Sequence, residues 1–190
     1  SQMEKHLENL SEMPIDATIG VFMGVESKTP DALADALKRT VARKAITSTT
    51  QRAMQQEFIG VGRQIAALDS QGAATGLVGL SKQAEGYAPL PGDPPIIVMR
   101  SYASLRQVVE QAMRSVVNSG TANPDQKRQA EETLASIAKS IPYTVHDVNM
   151  LMYPPGGDKD KAAHVVAERM LKGAGAGAPR RGDERRDRVR

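Results

Sequence analysis

Apolar residues recurring every third or fourth position constrain this chain most. Leu105, Val108, Val109, Ala112, Met113, Val116 and Val117 form one such stripe. Met54, Phe58, Val61, Ile65 and Leu68 form another, in alternating steps of four and three. This spacing places side chains on one face of an α-helix, which must then be buried against something. The chain has two Phe, four Tyr and no Trp, so its core has to come from Ala, Val, Ile, Leu and nine Met. Small and flexible side chains of that kind suit close helix packing better than a β-sandwich.

The punctuation between stripes predicts the element order. Met3, Leu7 and Leu10 suit a short first helix over about 3–12. Thr29-Pro30-Asp31 starts a second helix, reaching about Ile46: Thr caps, Pro fits the first helical position, and Asp meets the positive helix end. A third spans roughly 50–69, interrupted by Gly60 and Gly62. Close helix packing explains those glycines, with a hinge or a dimer seam as the alternatives. The main stripe predicts a helix from Ser101 or Ser104 to about Asn118. Asn123-Pro124-Asp125 starts another, ended by Pro142, and Thr144-Val145-His146-Asp147 resembles a capping box. A last helix covers about 159–171.

Two segments suggest strands. From Ile15 to Val25 every second residue is apolar, the two-residue period of a strand, and Ile96-Ile97-Val98-Met99 reads as a short buried one. Each precedes a turn and an amphipathic helix, so paired strands would be parallel with a right-handed crossover. Residues 70–95 carry five Gly and four Pro and read as a long functional or disordered loop. The expected fold is therefore α+β and predominantly α-helical, with five to seven helices around two short strands. The body spans 1–171 and a flexible tail 172–190.

Charge is unevenly placed. From Lys172 onward there are seven basic and three acidic residues, a net +4, which leaves the body at −1 of the overall +3. The sequence KGAGAGAP at 172–179 reads as a flexible linker. Beyond it stand Arg180, Arg181, Arg185, Arg186, Arg188 and Arg190, in a segment too polar to bury a core. Guanidinium groups match phosphates and acidic protein grooves, so these six arginines are the candidate binding residues for RNA, DNA or an acidic partner. The tail has no aromatic residue on which to stack bases.

Signals for chemistry are sparse. There is no cysteine, which removes disulfides, thiolate nucleophiles and Cys-based metal sites. No P-loop or HExxH occurs, and Gly60-Val-Gly62-Arg-Gln-Ile65 lacks the third glycine of a dinucleotide fingerprint. His146 lies beside Asp147, and His164 near Asp158 and Asp160; a surface histidine and a helix cap account for them. Ser48-Thr49-Thr50 reads as a helix cap, and Arg181-Gly182-Asp183 as a chance triplet in an arginine-rich tail. No cofactor or metal is expected. No apolar run is long enough for a membrane span, and the first residues do not resemble a signal peptide.

These features suggest a non-enzymatic structural or assembly protein inside a cell or virion. A cysteine-free helical body with an Arg-rich arm is a composition shared with many viral and phage structural proteins. Self-association as a homodimer or higher assembly is expected through the two apolar stripes, with Phe58, Val61, Ile65, Val109 and Val116 as the candidate contacts. The alternative is a small regulatory or secreted effector that binds a host or cellular protein through residues 70–95.

Overall fold

The computed structural model describes residues 1–13, 29–43 and 48–175. Its helices are α1 (Gln2–Glu12), α2 (Pro30–Ala42), α3 (Ser48–Ser70), α4 (Leu77–Gly86), α5 (Pro95–Asn118), α6 (Pro124–Ser140), α7 (Val145–Met152) and α8 (Lys159–Gly175). A 3₁₀ turn at Pro155–Gly157 joins the last two. No strand occurs among the described residues. The fold is all-α here, not the α+β arrangement expected from the sequence.

Ile96–Met99 accounts for part of that correction. These residues form the first turns of α5, where Pro95 provides the fixed φ that suits a helix start. Ile96, Val98 and Met99 are all buried, so the helix is covered on several sides at this end. A helix buried all round shows an unbroken apolar run, which periodicity cannot distinguish from a buried strand. The strand expected over 15–25 lies outside the described residues, and the parallel pairing loses its partner.

Residues 70–95 are a second correction. They fold back on α3 as the antiparallel helix α4, and Leu77, Leu80, Ser81 and Ala84 are buried. Gly72 and Gly76 take the left-handed conformation in the turn, at φ 72° and 79°, which favours glycine. Gly76 has no side chain to cap the helix, so Asp69 of α3 does it, accepting from the Leu77 N–H at 2.8 Å. The proline-rich stretch that follows is tied down in turn. Gln55 Nε2 donates to the Pro89 carbonyl at 2.8 Å, and the Gly92 N–H donates to Gln51 Oε1 at 3.2 Å.

The two α3 glycines mark close helix crossings. A Cβ on Gly62 would lie 2.6 Å from Glu85 Cγ and 2.9 Å from the Ser81 carbonyl oxygen, while Ser81 Oγ donates to the Gly62 carbonyl at 2.7 Å. A Cβ on Gly60 would run into the His6 ring of α1. Close packing, the simplest reading of these glycines, is what they support.

Helix α5 lies at the centre, touching α2, α3, α4, α6 and α7, while α1 bridges α3 and α6, and α2 lies along α8. Phe58 and Tyr102 meet in the core with ring centroids 5.8 Å apart. The Tyr102 hydroxyl donates to the Leu10 carbonyl at 3.1 Å, joining α5 to α1. Caps fix the ends as the sequence suggests. Thr29 caps α2, and Asn123 with Gln126 and Thr144 with Asp147 form capping boxes on α6 and α7.

Candidate functional site

The residues expected to mediate self-association are core residues. Phe58, Val61 and Ile65 of α3, and Val109 and Val116 of α5, are each 0% exposed within a single chain. The chain supplies its own partners for both stripes, so neither is left for a second copy. Any self-association has to use other surface. The six tail arginines, Arg180 to Arg190, lie outside the described residues. Helix α8 runs to Gly175 and takes in the first residues of the expected linker.

Among the five large apolar side chains exposed in the described residues, four lie on α3, α4 and the turn after α4: Ile59, Val78, Tyr87 and Leu90. The fifth, Tyr153, follows α7.

The histidines are placed differently from their sequence neighbourhoods. Asp147 turns inward, 4% exposed, accepting from the Thr144 N–H at 3.0 Å and from Arg169 at 3.1 Å, while His146 stays on the surface. Asp158 caps α8 by accepting from the Lys161 N–H at 3.0 Å. His164 reaches across to α2. Its Nδ1 lies 2.8 Å from the Asp160 carbonyl and its Nε2 2.9 Å from Asp31 Oδ1. Both partners are acceptors, so the ring satisfies both only as the doubly protonated imidazolium. The carbonyl of Asp160, then the Asp31 carboxylate, raise its pKa above the ordinary 6.5. Beside it Lys38 pairs with Asp160 at 2.7 Å and Asp35 at 3.1 Å.

One polar cluster has no signal in the sequence. The Glu57 carboxylate of α3 accepts from His6 Nδ1 and, at 3.1 Å, from Asn9 Nδ2, both on α1. It pins α1 to α3 over the core, and it helps burial to raise the pKa of Tyr102. Among the described residues no three His, Asp or Glu side chains are grouped so as to hold a metal ion. None of the described helices is long and apolar enough to cross a membrane.

Two clefts open between helices. One, of about 250 Å³, is lined by Arg106, Thr144, Asp147 and Arg169. Its charges are largely answered from within: Arg106 donates to Glu110 at 2.8 Å and to the Ile141 carbonyl at 2.9 Å, and Arg169 to Asp147. The other, of about 320 Å³, lies where α1, α3, α5 and α6 meet. Five glutamines converge on it: Gln2, Gln64, Gln126 and Gln129 from three helices, and Gln71 from the turn after α3. Among the described residues no Asp, Glu, Lys, Arg or His side chain lines it.

No protein-family model, curated protein or solved structure matches the chain.

Proposed function

We propose that this is a non-enzymatic assembly protein, in which a near-neutral helical body carries a basic arm that contacts nucleic acid. The separation of charge carries this reading. A net +4 sits beyond Lys172 while the rest of the chain holds −1. An arm of six arginines gains affinity by neutralising phosphates and releasing counterions, with no means of reading bases. The three acidic residues of the tail lower the field, so about three phosphate contacts are effective. The slope of log affinity against log salt is then about −3 for duplex DNA. Deleting residues 180–190 abolishes this binding and leaves the helical far-UV spectrum intact. A deletion that binds as well as the full chain refutes the reading. Loss of binding when all six Arg become Lys points instead to a shaped acidic protein groove, which needs the guanidinium fork.

Assembly also requires contacts between copies, and the exposed apolar residues on α3, on α4 and in the turn after α4 offer a surface for them. A homodimer at micromolar concentration follows, and sedimentation showing only a 20.4 kDa monomer at every accessible concentration refutes it.

The same surface supports a second reading, a regulatory or effector protein that binds another protein through 70–95. It is favoured by the exposure of Val78, Tyr87 and Leu90 within that segment, at 51%, 42% and 63%. Leu90→Lys separates the two: it dissociates the homodimer in the first reading, and in the second it spares a monomer while removing the partner.

A further inference from the structure

The geometry points to the glutamine-lined cleft between α1, α3, α5 and α6 as a pocket for a nucleobase. Its volume of about 320 Å³ is at the small end of ligand pockets, enough for one ring system. The absence of charged side chains from its described lining argues against phosphate or carboxylate as the group held inside. The Ser1 ammonium at the rim is already paired with Glu4 at 2.7 Å.

The floor is apolar. Met3 and Met113 are 5% and 3% exposed, and Leu68 lies beside them. Thioether sulfur packs favourably on aromatic rings, so a floor with two methionines suits a flat heteroaromatic ligand better than an aliphatic one. The rim supplies the polar groups. Gln126 is tied into the α6 capping box, but no other described group hydrogen-bonds the carboxamides of Gln2, Gln64, Gln71 and Gln129. A carboxamide presents one donor and one acceptor side by side, the pattern that pairs bidentately with the N6 and N7 edge of adenine. Adenine offers that edge, and adenosine is the probe used to test the pocket.

This pocket does not depend on the tail. The tail neutralises phosphates and reads no base, whereas the cleft holds a base and offers nothing to phosphate.

The test uses the full chain labelled with ¹³C at its methionine methyls, titrated with adenosine, which has no phosphate for the tail to bind. Ring currents from a seated base move the Met3 and Met113 methyl signals and leave Met54, buried elsewhere in the core, unmoved. Gln64→Leu and Gln129→Leu each weaken adenosine binding about tenfold or more, with unchanged methyl dispersion in the free protein. Gln83→Leu, on the exposed side of α4, leaves binding as in the wild type. Gln129 is exposed and its substitution spares the fold, so the test stands even if Gln64→Leu is destabilised. Adenosine that moves neither methyl at millimolar concentration overturns the proposal, as does binding unchanged in both leucine variants.

A short oligoadenylate in 0.5 M salt, where tail contacts are screened, identifies the source of the base. Shifts of the same two methyls that are lost in Gln129→Leu mean the cleft takes a base from a strand. Shifts with adenosine alone mean it takes a free nucleoside. Either result supports the pocket, and its failure leaves the salt-dependent binding by the tail untouched.

Discussion

Replacing Gly62 by alanine sets two opposing effects against each other at one atom. Alanine is favoured over glycine inside a helix by about 1 kcal/mol. Against that, the new Cβ would lie 2.9 Å from the Ser81 carbonyl oxygen and 2.6 Å from Glu85 Cγ. The Glu85 side chain can swing away at little cost. The carbonyl belongs to the backbone of α4, so relief there requires the helix to move. That movement stretches the 2.7 Å hydrogen bond from Ser81 Oγ to the Gly62 carbonyl, worth about 1 kcal/mol. Overpacking of a tight contact costs about 1–3 kcal/mol. The net expectation is destabilisation by about 1–2 kcal/mol, or about 3–6 °C in Tm for a chain of this size. Gly79 is the control. It lies in α4, where an added Cβ would meet nothing within 4 Å, so Gly79→Ala raises stability by about 0.5 kcal/mol. Urea unfolding of the two variants measures both, with the midpoints moving in opposite directions at constant slope. Adding Glu85→Ala to Gly62→Ala recovers only part of the loss, because the carbonyl contact remains. If Gly62→Ala is as stable as the wild type, the α3–α4 crossing is looser than these distances require and the reasoning fails.

Two further outcomes follow from polar contacts. Asp69→Ala removes the side-chain cap on α4 and costs about 1 kcal/mol, seen in urea melts and as faster amide exchange at Leu77 and Val78. His164 has a raised folded-state pKa, so its contribution to stability is complete below the unfolded value near 6.5 and is lost as pH rises through the folded one. NMR titration should place the His164 midpoint above the ordinary 6.5, and Asp31→Asn should lower it. A midpoint unaffected by Asp31→Asn refutes the bridge between α2 and α8.

Legibility in this sequence follows the range of the interaction that decides each element. Caps act over three residues, so Thr29-Pro30-Asp31, Asn123 to Gln126 and Thr144 to Asp147 can be read directly. The stripe on α5 is equally local. At Ile96–Met99 the signal fails because burial on several sides removes the polar face that would show a helical period. In 70–95 the apolar spacing of Leu77, Leu80 and Ala84 is helical, but the glycines around it resemble a loop because the cap comes from Asp69, eight residues away on another helix. The stripes themselves say that Phe58 and Val109 must be buried, not which surface buries them. Helices α1, α4 and α6 do so here, and an interface between copies leaves the same pattern in the sequence. The candidate cleft is illegible for a stronger reason. Gln2, Gln64 and Gln129 are ordinary surface residues on three separate helices, and nothing local marks them as neighbours. Their convergence depends on α1 crossing both α3 and α6, which in turn depends on Gly60 admitting the His6 ring beside the helix backbone. A residue that, taken alone, only weakens α3 is therefore what brings α1 close enough to form the site.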